Sequence, residues 1–198
     1  MQPFELVIRD IRDASPLIRE FVLEAHSASA LPAFSAGAHL QVQIPEQKDH
    51  RCYSLIVTDP AHNWEEAPQQ YRLGVRLEED GQGGSKFMHQ LKVGEVIEVV
   101  GPINDFPLEP AQTDEKDIVL IAGGIGITPI ASMAHTLSQQ QRPFTLHYSA
   151  RAQNQLAFKD ELSQLLGDRL VCYTNDENQF DLNALFDTLT PDQHIYVC

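Results

Sequence analysis

The segment that most restricts the possible folds is "IVLIAGGIGITPI", residues 118–130. Its first five residues form an unbroken apolar run, which is typical of a strand buried on both faces of a sheet. Three glycines follow the run, namely Gly123, Gly124 and Gly126. Thr128 is predicted as the N-cap of a helix and Pro129 as its first residue, because a helix leaves the N–H unpaired there. The segment therefore predicts a buried strand, a tight turn and a helix in succession.

This junction is also a candidate binding site. In a doubly wound sheet, a pyrophosphate binds where the first strand passes into its helix, because the helix N-terminus presents free N–H groups. Glycines let that backbone approach a ligand closely. The pattern is G-G-x-G-x-T-P and not the common G-x-G-x-x-G. A tight turn alone would account for one glycine but not for three.

The pattern of strand-like and helix-like segments changes along the chain and predicts two domains. Residues 1–108 contain short strand-like runs separated by turn residues, which favours an antiparallel Greek-key barrel. Residues 109–116, "EPAQTDEK", are predicted to be a linker. Residues 117–198 alternate strand and helix patterns, which predicts a doubly wound parallel sheet with helices on both faces. The fold class is therefore β plus α/β. Since the last segment, "HIYVC", is a strand, we expect a fragment of a longer protein; an end covered by a partner is the alternative.

Composition excludes several classes of function. The 198 residues are 42% hydrophobic and carry a net charge of −14, which disfavours nucleic acid as a partner. No apolar run is long enough to span a membrane, and no signal peptide is visible at the N-terminus. The three cysteines, Cys52, Cys172 and Cys198, lack metal-ligand spacing and predict a reduced, cytoplasmic protein without a structural metal.

The first half offers a second candidate anion site. Gly83, Gly84 and Ser85 precede a short predicted helix, residues 84–93, and such an entry exposes N–H donors and a hydroxyl. A hairpin turn explains the same stretch about as well when it is taken alone. The segment "RCYS", residues 51–54, changes this balance, because antiparallel pairing of residues 51–57 with residues 71–78 would bring Arg51 beside this turn.

The residues of "RCYS" suggest the kind of ligand. Arg51 would bind a phosphate together with the glycine turn. Tyr53 offers a flat aromatic surface, and Ser54 a hydrogen-bond donor for a ring heteroatom. A flavin has a phosphate at one end and a planar polar ring at the other, so it fits this combination. Cys52 is predicted to face the opposite way, into the barrel.

Six motifs in this order resemble the ferredoxin-NADP reductase superfamily, in its phthalate dioxygenase reductase-like branch, to which vanillate demethylase reductase and carnitine monooxygenase reductase belong. The motifs are "RCYSL", "VRLEEDGQGGSKFMHQ", "GPINDFPL", "AGGIGITP", "LHYSAR" and "YVC". The resemblance covers essentially the whole chain. It implies that the barrel binds FMN, that the second domain binds NADH, and that a 2Fe-2S domain follows and passes electrons to a Rieske-type oxygenase. The cysteines of that last domain are absent from this sequence.

The resemblance also implies roles for individual residues. Arg51 would bind the flavin phosphate, Tyr53 would pack on the ring, and Ser54 would contact N5, where the hydride arrives. Val75 and Arg76 would lie beside the flavin. The phosphate loop would be formed by Gly83, Gly84 and Ser85. The nicotinamide nucleotide loop would be formed by Gly123, Gly124, Gly126, Thr128 and Pro129. Ser149 and Arg151 would lie near the adenosine ribose, and Cys198 would contact the nicotinamide.

These features predict a flavin-dependent NADH reductase, in which the cofactors supply the chemistry and the protein supplies alignment. Two alternatives stay open. One is an FAD-containing NAD(P)H reductase without an iron–sulfur domain, and the other is a non-catalytic docking subunit with this fold. Arg151 leaves NADPH possible, although the branch favours NADH.

Overall fold

The N-terminal part of the molecule is a curled antiparallel sheet. The computed structural model describes residues 2–27, 30–45, 50–59, 64–110 and 117–198. The strands are β1 (Phe4–Ser15), β2 (Ile18–Ala25), β3 (His39–Val42), β4 (Arg51–Ser54), β5 (Tyr71–Arg76) and β6 (Val96–Ile103), with helix α1 (Gly84–Gln90) between the last two. Their order in the sheet is β4-β3-β6-β1-β2-β5. Apolar side chains that alternate along the strands, such as Leu6, Leu40 and Val99, fill the interior.

The two edge strands of this sheet meet at one point and so close the barrel. Leu55, just after β4, forms an isolated antiparallel bridge with Leu73 of β5. The Ile56 N–H donates to the Arg72 carbonyl at 2.9 Å. No ladder joins the rest of β4 to the end of β5 within the described part of the chain. The strands therefore separate towards Arg51 and Arg76.

The C-terminal part is a four-stranded parallel sheet with order β10-β7-β8-β9. Its elements are β7 (Ile118–Gly123), α2 (Ile127–Gln139), β8 (Phe144–Ala150), α3 (Lys159–Leu166), β9 (Leu170–Thr174), α4 (Leu182–Phe186) and β10 (Ile195–Val197). A 3₁₀ turn, Gly124–Gly126, links β7 to α2. The predicted fold class, β plus α/β, is confirmed. Of the predicted linker, residues 111–116 lie outside the described residues. None of the described helices is long and apolar enough to cross a membrane.

The two parts pack through α2 and α3. The Ser132 hydroxyl of α2 hydrogen-bonds the backbone of Leu55 and Val57. Thr128, also on α2, packs on Gly74 of β5, where an added Cβ would lie 2.8 Å from the Thr128 Cγ2 atom. The contact is therefore made by one face of α2, since residues four apart lie on the same side of a helix.

A polar network at the rim of this interface joins β5 to α3. Arg72 of β5 pairs with Glu20 of β2, and its Nη2 atom lies 2.9 Å from Oε2 of Glu161 on α3. The Thr58 hydroxyl donates to Glu161 and accepts from Arg72 Nη1 at 2.6 Å. Partial burial opposes ionisation of Glu161, but the hydrogen bonds from Thr58 and Arg72 outweigh it and lower its pKa. Glu161 is therefore a charged link between the two parts.

Glu161→Gln should lower the free energy of unfolding by about 1 kcal/mol at neutral pH, because it removes a charge-assisted contact to Arg72. A carboxyl whose pKa is lowered in the folded state stabilises the protein above its unfolded pKa and loses that effect as the pH falls through the folded value. The difference between variant and wild type should therefore shrink as the pH falls below the ordinary glutamate pKa of about 4.3. Denaturant unfolding at several pH values measures it.

The matched control is Glu79→Gln, since Glu79 is an exposed glutamate on the loop after β5. It should have wild-type stability over the same pH range. Equal stability of both variants at neutral pH would contradict a stabilising role for Glu161.

Candidate functional site

Strand β4 presents Arg51 and Tyr53 on the face that carries the barrel core. In the antiparallel pairing with β3, Tyr53 lies opposite Leu40 and Arg51 opposite Val42, and opposite residues share a face. Burial raises the pKa of Tyr53 to about 12, so its phenol is a neutral hydrogen-bond donor at pH 7. The prediction that Cys52 faces into the barrel is wrong. Cys52 lies on the outer face and is exposed, because the core-facing positions of β4 are the odd-numbered ones.

The gap between β4 and β5 leaves two strand edges that face one another without a ladder. Ser54 lies on the β4 side of the gap, directly before the Leu55–Leu73 bridge, and Gly74 on the β5 side directly after it. Ser54 is half-buried. Such edges carry backbone donors and acceptors in fixed positions. The gap is therefore a candidate position for a flat ligand with polar atoms on its rim.

The glycine turn before α1 lies against Arg51, as predicted. The predicted pairing of residues 51–57 with residues 71–78 is not found along this length: it is limited to the Leu55–Leu73 bridge, and Arg51 pairs with Val42 of β3. Gly83 has φ +93°, the left-handed region that favours glycine, and is the N-cap of α1. Gly84 is buried against Arg51, and a Cβ at Gly84 would lie 2.6 Å from the Arg51 Cγ atom. Arg51 Nη2 donates to Gln82 Oε1 at 2.8 Å. Gln82, which sequence reasoning missed, thus helps to aim the guanidinium at the turn.

Ser85 is held by a backbone contact that the sequence did not predict. Its Oγ atom accepts a hydrogen bond from the Glu78 N–H at 3.0 Å. A hydroxyl that accepts in this way keeps its own hydrogen for donation. Ser85 can therefore still donate to an anion at the turn.

The second glycine loop packs tightly on the segment at Cys198. The Gly123 N–H donates to the Cys198 carbonyl at 2.8 Å, and the Cys198 N–H donates to the Ile121 carbonyl at 3.0 Å. A Cβ on Gly126 would lie 2.3 Å from the Cys198 carbonyl, so only glycine fits there. Gly124 has φ +53°. Partial burial raises the pKa of the Cys198 thiol, which is therefore neutral at pH 7.

The predicted start of the helix is corrected. Thr128 is not the N-cap: Gly126 caps α2, and the helix begins at Ile127. Thr128 is buried in the first turn, where its hydroxyl donates to the Ile125 carbonyl at 3.0 Å. Pro129 is the third helical residue, where the N–H would also lack an intrahelical partner. The helix begins earlier in the chain than predicted, because the 3₁₀ turn already winds the backbone before Thr128.

A cleft of about 230 Å³ joins the glycine loop to the end of β8. Its described lining comprises Ser15, Leu17, Ile18, Arg76, Gly123, Gly124, Ile125, Ser149, Ala150, Arg151, Gln155 and Asn175. Two arginines and no carboxylate are among these residues, although the chain has a net charge of −14. The cleft is therefore a local cationic site that suits an anionic ligand. Gln155 and Asn175 were missed by sequence reasoning.

Val75 and Arg76 point in opposite directions. Val75 is fully buried in the barrel core, and its carbonyl accepts from His89 Nε2 at 2.8 Å. The Arg76 Nη1 atom lies 3.9 Å from the Cβ position of Gly124, and its Nε atom lies 3.3 Å from Glu78 Oε1. Arg76, at the end of β5, therefore contributes a positive charge from the N-terminal sheet to the cleft. That Val75 and Arg76 lie beside a flavin stays a prediction.

The "GPINDFPL" motif links the barrel to β10. Asn104 Nδ2 donates to Ser35 Oγ at 2.7 Å and to the Ala36 carbonyl at 2.9 Å. The ring centroids of Phe106 and Tyr196 lie 6.0 Å apart. The Phe106–Tyr196 contact packs this motif on β10, which leads to Cys198. Among the described residues, no group of three or more His, Cys, Asp or Glu could hold a metal ion.

Comparisons with known proteins agree with this architecture. Residues 120–198 match the family model for the oxidoreductase NAD-binding domain. The β subunit of the heme-dependent oxidative N-demethylase of Ectopseudomonas mendocina (strain ymp) is 40% identical over 189 residues, which are 95% of this chain and 58% of that protein. Vanillate O-demethylase oxidoreductase of Acinetobacter baylyi is 34% identical over 98% of this chain and 59% of that protein.

A solved structure extends the comparison to three dimensions. Phthalate dioxygenase reductase, described as a modular structure for electron transfer from pyridine nucleotides to a 2Fe-2S cluster, matches with a TM-score of 0.83 and 33% identity. The match covers 99% of this chain and 60% of that chain. The chain thus spans 58–60% of the length of these three proteins.

Gly84→Ala should weaken binding of a phosphate-bearing ligand at the α1 turn by about tenfold or more, because the new methyl displaces the Arg51 stem from its place. Titration with FMN, followed by its fluorescence, measures the affinity. An FMN affinity equal to that of wild type would contradict a phosphate site at this turn.

The control is Gly94→Ala, which adds the same methyl where nothing lies within 4 Å but φ is +92°. It should cost about 1 kcal/mol of stability through backbone strain and leave FMN affinity unchanged.

Proposed function

The chain belongs to the phthalate dioxygenase reductase-like branch of the ferredoxin-NADP reductase superfamily, and from this premise we propose that it is an NADH-dependent flavin oxidoreductase. Its electrons would pass to a Rieske-type oxygenase. Residues 1–108 would act as the flavin-binding domain and residues 117–198 as the NAD-binding domain. The observation that carries the proposal is the open gap between β4 and β5, which lies between an arginine-backed glycine turn and the cationic cleft.

The residues at the gap fit a flavin mononucleotide. Arg51, the backbone at Gly83 and Gly84, and the Ser85 hydroxyl would bind its phosphate. Gly84 has no room for a side chain beside Arg51, as expected of a cradle that must admit a ligand oxygen. Tyr53 would pack on the ring, and Ser54 would donate to its edge. When bound, FMN would accept a hydride from NADH and release the two electrons singly.

The cleft at the second glycine loop would bind NADH. The loop from Gly123 to Gly126 would hold its pyrophosphate, with Thr128 and Pro129 shaping the helix start behind it. Arg76 and Arg151 would neutralise phosphate charge, and Ser149 would contact the ribose. Cys198 would lie against the nicotinamide, where a neutral thiol packs without adding charge.

An iron–sulfur cluster does not fit the residues described here. Cys52, Cys172 and Cys198 are all free, and no metal-ligand group occurs among the described residues. We propose that a 2Fe-2S cluster, if this electron path uses one, is bound by a segment outside the present sequence.

The central test is reduction by NADH without oxygen. The purified protein supplied with FMN should bind it, show yellow absorbance and lose that absorbance when NADH is added anaerobically. A protein that binds no flavin, or whose flavin NADH does not reduce, would instead be a docking subunit with this fold. Chromatography of the released flavin separates FMN from FAD, and recovery of FAD would favour a reductase of the other cofactor class.

NADH should be preferred to NADPH by about tenfold or more in kcat/KM. Asp176 and Glu177 directly follow Asn175, which lines the cleft, and Gln153 Nε2 donates to Glu177 Oε2 at 2.8 Å. We infer that this negative charge disfavours a 2′-phosphate. Steady-state kinetics with both nucleotides measure the preference. Arg151→Gln should raise KM for NADPH more than KM for NADH, since Arg151 is the charge available to a 2′-phosphate. A lower KM for NADPH than for NADH in the wild type would contradict this prediction.

A further inference from the structure

Ser132 makes a buried polar contact between the two parts of the molecule. It lies on α2 and is fully buried. Its Oγ atom accepts a hydrogen bond from the Val57 N–H at 2.9 Å and donates to the Leu55 carbonyl at 2.8 Å. A hydroxyl can do both because it carries one hydrogen and two lone pairs. One side chain thus satisfies two backbone groups of the other part.

The two ends of this contact lead to the two candidate cofactor sites. Leu55 directly follows Ser54, which lies at the gap between β4 and β5. Ser132 is five residues after Ile127, the start of α2, so it lies only about 7.5 Å along the helix from the second glycine loop. The two candidate sites are therefore connected through residues 54–57, the Ser132 hydroxyl and the first turns of α2.

We propose that Ser132 is a positioning residue that sets the distance between the nicotinamide bound beside Cys198 and the flavin bound at Ser54. This inference rests on the proposed function. Hydride transfer requires the two reacting atoms to be close and aligned, and a misplacement of about 1 Å costs on the order of 100-fold in rate. Ser132 would act through the backbone at Leu55 and Val57 and would touch neither cofactor.

Two neighbouring contacts of the interface cannot fix this register as tightly. Thr128 meets Gly74 through a methyl group, and such a contact has no preferred direction. The Arg72–Glu161 pair joins two long side chains at the rim, and the Glu161 side chain is 43% exposed. Ser132 instead bonds the main chain, whose position is set by the barrel bridge at Leu55.

The test compares Ser132→Ala with Ser138→Ala. Ser138 is on the same helix, and among the described residues its buried hydroxyl has no hydrogen-bond partner. Stopped-flow reduction of the FMN-loaded protein gives the reduction rate at saturating NADH and, from its concentration dependence, the Kd for NADH. Ser132→Ala should reduce the rate about 5- to 50-fold, with the Kd within about twofold and unchanged FMN content. Ser138→Ala should match wild type.

A merely structural role for Ser132 would not lower the reduction rate while leaving the Kd for NADH unchanged. A general loss of packing would lower FMN content or raise the Kd. Equal reduction rates in Ser132→Ala and Ser138→Ala would overturn the inference alone. A wild-type protein that binds FMN but is not reduced by NADH would overturn the proposed function, and the inference with it.

A measurement on the wild-type protein keeps the test valid if Ser132→Ala does not fold. The Val57 amide should exchange its hydrogen only through large-scale opening, because its bond to Ser132 closes the interface. The Gly81 amide, bonded only within an exposed turn to the Glu78 carbonyl, should exchange far faster. Exchange of Val57 as fast as that of Gly81 would show that the contact opens freely in solution, and would overturn the inference.

Discussion

The single meeting point of β4 and β5 is the constraint on which the rest of the structure depends. Because these edge strands touch at Leu55 and Leu73, the barrel is closed at one end and open at the other. The closed end continues into Ile56 and Val57, which are buried where the parallel sheet packs. The open end places Arg51 against the glycine turn of α1. A barrel paired along its whole length would have no such gap beside Arg51.

Much of the fold could be predicted from the local patterns of apolar and polar residues in the sequence. The near-continuous apolar run at Ile118–Gly123 and the alternation along β3 are each explained by the faces that the strands bury. The approach of Arg51 to the turn at Gly84 was also predicted, although the pairing assumed for it is limited to the Leu55–Leu73 bridge. These inferences needed only periodicity and the rule that opposite residues are neighbours.

The errors and omissions also have physical reasons. Alternation shows that Cys52 differs in face from Arg51 and Tyr53 but not which face is inside, so its orientation was assigned wrongly. Thr128 has the right chemistry for an N-cap, but the preceding 3₁₀ turn starts the helix earlier. Ser132, Glu161 and Gln82 were missed because their partners are 75, 103 and 31 residues away along the chain. Their roles exist only after folding.

The charge of the chain is distributed unevenly, and this matters for binding. Arg9, Arg12 and Arg19 pair with carboxylates on the outer face of the first hairpin. At the candidate sites, Arg51 and Arg76 lie beside glycine-rich backbone, whose N–H groups add to their positive potential, although Arg76 also pairs with Glu78. An acidic protein can thus concentrate anions at two places while the rest of its surface repels them.

The contact between Gly84 and the Arg51 stem also limits how this sequence can change. The two residues are 33 positions apart yet occupy adjoining space, so neither position can accept a larger side chain independently of the other. A lineage that gained a side chain at position 84 would first have to shorten or redirect the residue at 51. Variation at these two sites among relatives should therefore be correlated, and the order of substitutions should be constrained by steric volume.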